Sequence, residues 1–270
     1  MIEQVRKLIC VLAAAFGMFS AIPVPDFLYL YLYQDENIDI NNNKYILCAF
    51  PVIGLVIGIS CQVWILFCDW LSLSDILRGA GLCLLPLIIT GGIHLDGYAD
   101  TCDALASYAS PERRREILKD PRRGAFAIIK FCTYCIALFA LCTALYIENA
   151  CILILIFIFS RCLSGIALLF FILSKNNGMA YNFKAQADQK SRKIILLEAI
   201  LTGLILCVFY KLTGLIILIT ALWNLKHADD IARRDFGGWS GDLAGWFLQK
   251  AELYMLAALV FAQYIGDKII

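Results

Sequence analysis

Long apolar runs fill most of this chain, and they leave it few ways to fold. Stretches at about 45–71, 79–95, 125–147, 150–173, 194–210, 212–225 and 243–265 are dominated by Leu, Ile, Phe, Val, Ala and Cys. Most approach or exceed the roughly 20 residues with which a helix crosses a bilayer. A helix also satisfies its own backbone N–H and C=O groups where lipid offers no partner. Apolar residues make up 61% of the 270, against about 45–50% in a soluble domain, and mean hydropathy is +0.76. The expectation is an all-α, polytopic membrane helical bundle of about seven spans, folded as one integral membrane domain over residues 1–270. A net charge of +1 argues against nucleic acid as a partner. Nearly all of the twelve cysteines sit inside apolar runs, as small buried hydrophobes of a reducing compartment. Cys132 and Cys135 have C-x-x-C spacing but no second pair and no nearby histidine, so they read as part of a span.

The first run, Leu8 to Ile22, falls short of a crossing and ends at Pro23 and Pro25, which predicts a short N-terminal re-entrant or interfacial helix. The aromatic stretch at 27–33 has interfacial character. Basic residues concentrate in three loops, 104–124, 174–193 and 226–242, while the turns near 148 and 211 are almost uncharged. Counting spans places these loops, and the 23–44 loop, on one side, which the positive-inside rule makes cytoplasmic. Ser110, Pro111 and Glu112 start a short basic helix on that surface, in cap, first-position and first-turn order. Asp120 and Pro121 repeat the signal for a second helix.

The densest chemistry lies at 91–103, GGIHLDGYADTCD, where an apolar segment turns polar. Asp96, Asp100 and Asp103 are spaced to fall within roughly a 60° arc of one helix face. Ionisable groups beside a membrane are expensive and point to function, with a counter-charge expected. For convergent carboxylates the simplest counter-charge is a divalent cation, and oxygen-only ligands favour Mg²⁺ or Mn²⁺. His94 stands two residues before Asp96, either as a base or metal ligand or as a histidine hydrogen-bonded within the polar site.

Arg161 lies mid-way along the run 151–173, where an arginine costs about 2.5–3.5 kcal/mol on insertion scales. It therefore needs a carboxylate or phosphate partner: one of the aspartates, or a substrate phosphate that it clamps. FGGWSGDLAG, 236–245, opens the last apolar run with Ser240 as cap and Asp242 in the first turn. Its glycines, Gly241 and Gly245 among them, either loosen a loop or let the backbone approach a phosphate. Asp229 and Asp230 with Arg233 and Arg234 read as i,i+4 pairs on a solvated helix. Together these features suit metal-assisted transfer of a phosphate-linked group at the bilayer surface.

GGIHLDGYADTCDAL strongly resembles the signature of the cobalamin synthase family, whose members are adenosylcobinamide-GDP ribazoletransferases. Further elements match in family order across nearly the whole chain: Pro23 and Pro25, FPVIGLVIG at 50–58, Asp120, Arg122 and Gly124, Ser160 and Arg161, and Gly241, Asp242 and Gly245. Ala104 stands where a glycine is common, and Arg123 and Phe126 vary the basic element. The resemblance implies a Mg²⁺-dependent, multi-pass enzyme of the inner cell membrane with its active site facing the cytoplasm. It would join adenosylcobinamide-GDP to α-ribazole or its 5′-phosphate and release GMP. On this reading Asp96, Asp100, Asp103 and His94 are catalytic. Asp96, Asp100, Asp103 and Asp242 hold metal, and Arg161, Arg122, Gly241 and Gly245 contact substrate. A homo-oligomer stays open. Competing readings are a CDP-alcohol-type membrane phosphotransferase, an aromatic prenyltransferase and a non-enzymatic transporter. The first needs an arginine after Ala99, where this chain has Asp100, and the second needs paired acidic clusters on two helices.

Overall fold

A computed structural model describes residues 2–25, 44–118, 120 and 124–269, with side chains of 4–25, 44–118, 120 and 124–265. The aromatic stretch at 27–33 and the Asp120–Pro121 restart fall wholly or partly outside the described residues. Among the described residues the protein is helical and has no strand: α1 Ile2–Phe19, α2 Ile46–Trp70, α3 Asp75–Thr90, α4 Ile93–Ala106, α5 Pro111–Ile117, α6 Ala125–Ala144, α7 Ile152–Phe170, α8 Met179–Gln186, α9 Gln189–Phe236 and α10 Gly241–Ile269.

Five of these helices are long and apolar enough to cross a membrane, and a sixth crossing is counted if α3 and α4 form one broken span. The protein is therefore an all-helical membrane protein. The first helix, α1, is not among them; its 18 residues include Glu3, Arg6 and Lys7. The last broken element is α9, whose residues stay helical except at Lys211. A Cβ on Gly214 would collide with the carbonyl of Leu206, and one on Gly203 would sit 3.4 Å from Leu218. In a straight helix residues eight apart are separated by about 12 Å. The chain therefore reverses at Lys211, and 189–210 packs back against 212–236. This is the division into two apolar runs that the composition suggested.

Small residues set how closely the helices approach. Gly54 and Gly58 of α2 form a G-x-x-x-G face on α7, where a Cβ at Gly58 would meet Ile154 Cα at 2.5 Å. Without water to drive association, such faces gain contact between backbones. A Cβ at Gly54 would meet the Arg161 side chain at 2.9 Å, so the same glycine makes room for the buried arginine.

The loops expected on one side do meet. Lys44 pairs with Asp188 at 2.5 Å. Trp239 N donates to Ile172 O at 2.7 Å and Ser174 N to Trp239 O at 2.9 Å. Arg114 reaches Asp235 at 2.5 Å. At the opposite end Arg78 Nη2 donates to Leu145 O at 3.2 Å, and Gln263 ties the α6–α7 turn to α10.

Candidate active site at the polar end

The acid-bearing helix is set by two consecutive glycines. Gly91 (φ 62) caps α3 and Gly92 (φ 76) precedes α4; both sit in the left-handed region that glycine enters without a Cβ clash. Across them the chain turns by 96°. The apolar helix thus ends at Thr90, and α4 sets off at nearly a right angle to it. Ala21 N, donating to Ile89 O at 2.8 Å, ties the end of α1 to this corner.

Packing of α4 on α10 brings Asp242 to Asp100. A Cβ on Gly97 would lie 2.8 Å from Asp242 O, and one on Gly245 would lie 3.0 Å from His94 O. Each helix offers a glycine to the other's backbone. Asp100 lies within repulsive reach of Asp242 and Asp103, and Lys175 is an opposite charge within reach of Asp242. Asp96 and Asp242 are exposed and Asp100 is half-buried. Ser240 accepts from Leu243 N at 3.3 Å, capping α10 as its sequence indicated. Space in front of Gly241 is open.

Asp103 is engaged differently. Its carboxylate accepts from Gly124 N at 3.1 Å and Ala127 N at 3.3 Å, so it caps the start of α6. A Cβ at Gly124 would collide with that carboxylate. Among the described residues no three His, Cys, Asp or Glu side chains stand close enough together to hold a metal ion. The expected metal-holding set of Asp96, Asp100, Asp103 and Asp242 is therefore not gathered into one cluster among the described residues. Mg²⁺ asks for less, usually one or two carboxylates with the remaining positions given by water and phosphate. The facing pair Asp100 and Asp242, all oxygen donors beside open space at Gly241, fits that requirement.

Other expected site residues lie elsewhere. His94 is buried on the opposite face of α4 from the acids. Its ring is 5.4 Å from Phe50, and Nε2 has no hydrogen-bond partner among the described residues. Gly245 is a packing residue, filled in front by the His94 backbone. Gly237 (φ 72) and Gly238 (φ 140) make the turn before Trp239, and a Cβ on Gly238 would meet Leu173 C at 2.6 Å. That close approach is to the 172–174 backbone rather than to a phosphate. Arg122 lies outside the described residues.

Arg161 is 1% exposed and pairs with Glu252 at 2.6 Å, not with any of the aspartates. Its Nη1 also donates to Phe157 O at 2.9 Å and Ser160 Oγ at 3.2 Å, and Ser160 donates to the same Glu252 oxygen at 2.9 Å. The guanidinium charge is already matched, and a second anion there would meet Glu252. A phosphate clamp at Arg161 is thus disfavoured by its own partner. Glu252 is not among the partners that the sequence pattern singles out, although a mid-span arginine demands a carboxylate and the last apolar run contains one.

Of the i,i+4 pairs expected over 229–234, Asp229 with Arg233 forms, while Asp230 and Arg234 take other partners. Asp230 pairs with Lys226, and Asp229 with Arg233 at 2.8 Å. Asp229 is buried rather than solvated and accepts from Trp239 Nε1 at 3.0 Å. Arg234 joins Arg114 on Asp235. Burial pushes the Asp235 carboxyl up, but the two guanidinium groups outweigh it and hold it below the ordinary carboxylate range. The basic helix α5 is thereby docked on the end of α9, with Arg115 Nη1 also donating to Phe236 O at 3.3 Å.

Comparison with known proteins matches this chain to the cobalamin-5-phosphate synthase family over residues 11–260. The adenosylcobinamide-GDP ribazoletransferase of Lachnoclostridium phytofermentans is 37% identical, covering 92% of each chain. That of Clostridium botulinum strain Eklund 17B is 31% identical over 90% of this chain and 93% of its own. That of Stutzerimonas stutzeri is 30% identical over 79% of this chain and 85% of its own. No solved structure matches.

Proposed function

This chain belongs to the cobalamin-5-phosphate synthase family, and from that premise we propose that it is an adenosylcobinamide-GDP ribazoletransferase. It is a transferase acting late in adenosylcobalamin assembly. The observation that carries the reading is the family match across nearly the whole chain, acid-bearing helix included. Its substrates are adenosylcobinamide-GDP and α-ribazole or α-ribazole 5′-phosphate.

In this reading the diphosphate lies at the rim formed by α4 and the start of α10. A ribose hydroxyl of the ribazole attacks the phosphorus next to cobinamide. The new P–O bond forms as the bond to the second phosphoryl group breaks, GMP leaves, and a rim carboxylate takes the hydroxyl proton. Asp96, Asp100 and Asp242 act at this rim, and Asp103 positions it by holding α6 in place. Lys175 and the open backbone at Gly241 favour a phosphate there. Asp100 and Asp242 would hold Mg²⁺, which would neutralise the diphosphate charge when bound.

Reversal at Lys211 and the bent α3–α4 pair support seven crossings in all, with α1 at the interface. Basic residues 113–115, 175, 184, 190, 192, 193, 226, 233 and 234 gather at the end that carries the acids, which supports a cytoplasmic active site in the cell membrane. Purified protein given adenosylcobinamide-GDP, α-ribazole 5′-phosphate and Mg²⁺ is expected to form adenosylcobalamin 5′-phosphate and stoichiometric GMP. Transport of either compound into vesicles without GMP release would reject the enzyme reading in favour of a transporter.

A further inference from the structure

Beneath the acid-bearing rim lies a cavity of about 340 Å³ between α3, α6, α7 and α10. That is near the lower end of the roughly 300–1,000 Å³ of small-molecule sites. It begins on either side of the Gly91–Gly92 corner, at Thr90 and Leu95, and is walled largely by aliphatic side chains such as Leu138. Five polar residues interrupt the wall: Thr90, whose hydroxyl donates to Pro86 O, Tyr134, Gln249, Glu252 and Arg161. Along α10, Gln249 and Glu252 stand about 10–15 Å below Asp242.

These polar residues define what the cavity accepts. Arg161 and Glu252 neutralise one another, so the guest is neutral. Arg161 Nε and Nη2 donate to no protein atom among the described residues, and Nε is fully buried. Gln249 accepts from Tyr134 on its oxygen, which leaves its amide nitrogen as a donor. A guest with an apolar body and a small number of acceptors suits this lining, because a buried donor without a partner costs about 1–3 kcal/mol.

We infer that this cavity receives the base of the acceptor nucleoside, the dimethylbenzimidazole ring of α-ribazole, with its free ring nitrogen toward the Arg161 and Gln249 donors. This rests on the transferase reading above and assigns one of its two substrates to a place. Dimethylbenzimidazole is flat and neutral, with two methyl groups for the aliphatic wall and one acceptor nitrogen. Guanine, the other base in the reaction, carries several donors and acceptors that an aliphatic wall would strip of water unpaired. A corrin is too large to enter. With the base below the corner, the ribose emerges at the rim, where its hydroxyl faces the carboxylates.

Steady-state kinetics on Leu138→Trp, which fills the cavity, test the assignment. The expected result is a KM for α-ribazole raised at least tenfold with the KM for adenosylcobinamide-GDP unmoved, while Val63→Trp on the lipid-facing side of α2 changes neither. Ribosylbenzimidazole lacking both methyl groups is expected to bind wild-type protein about tenfold more weakly than α-ribazole. If Leu138→Trp is not recovered folded, Cys135→Phe on the same wall replaces it. Active variants whose ribazole KM is unchanged would overturn the assignment while leaving the transferase reading intact. So would co-purified phospholipid that the filled variant loses without a kinetic effect, which would make the cavity a lipid site. Wild-type protein that forms no GMP would sink the transferase reading itself, and calorimetric binding of α-ribazole to wild type but not to Leu138→Trp would still support the cavity assignment.

Discussion

The rim and the buried pair are two ways of keeping charge in a membrane protein. At the rim, Asp100, Asp103 and Asp242 bring like charges together where water reaches them. About ten residues further along α10, Glu252 meets Arg161 out of reach of water, with Ser160 completing the network. In the proposed reading, repulsion in the first cluster is relieved by what binds there. Attraction in the second matches the two charges within the protein and leaves Arg161 Nε facing the cavity as a donor. Charge chemistry is thus proposed for the first, and stability depends on both partners of the second being present.

Removing a rim carboxylate is the sharpest test. Asp100→Asn or Asp242→Asn is expected to lower kcat about a thousandfold or more, the scale of several kcal/mol of transition-state stabilisation, while thermal stability in detergent holds. Asp96→Asn should behave similarly, and chelation of Mg²⁺ should stop turnover until Mg²⁺ is restored. Near-normal activity of Asp100→Asn at ordinary Mg²⁺ would erase the distinction between the clusters. Glu252→Ala is the converse: stranding Arg161 should cost about 3–5 kcal/mol, read as a large fall in melting temperature. Joint replacement, Arg161→Met with Glu252→Leu, should recover much of that loss. A Glu252→Ala protein that melts like wild type would show the pair to be idle.

Gly97→Ala and Gly245→Ala act between the two regions, because they separate α4 from α10. Overpacking of this kind costs about 1–3 kcal/mol, and kcat should fall as well because Asp242 moves relative to Asp100. Loss of stability with unchanged kcat would mean that the spacing of those acids is not critical. The smallest effect belongs to the docking of the basic helix. Asp235→Asn should cost about 1 kcal/mol, between exposed and buried ion pairs, and should speed proteolysis between Arg113 and Arg115. Unchanged proteolysis would assign the hold on α5 to other contacts.

Much of this arrangement is legible in the sequence. Ser110–Pro111 and Ser240 start helices where their chemistry says they should, because capping is local. Basic loops assigned to one side meet there, because charge asymmetry follows the alternation of spans. What was not legible depends on pairing at long range. Spacing on α4 places Asp103 beside Asp100 but is blind to the α6 backbone that Asp103 caps. Glycines in the 236–245 stretch looked like phosphate contacts, whereas Gly238 and Gly245 answer to neighbouring backbone. Arg161 announced a partner, and only packing of α7 on α10 names it.

Reversal at Lys211 bears on how the protein is made. A turn of one residue offers no loop to be threaded across a bilayer on its own. In the seven-crossing topology proposed above, the halves of α9 would enter the membrane together, as one hairpin, with Lys211 the charge that must reach the far surface. Close seating of Gly214 on the Leu206 carbonyl fixes the register of this hairpin. On that topology an insertion machinery would meet α9 as a single cargo, and the loop that precedes α10 would stay on the side on which it was synthesised.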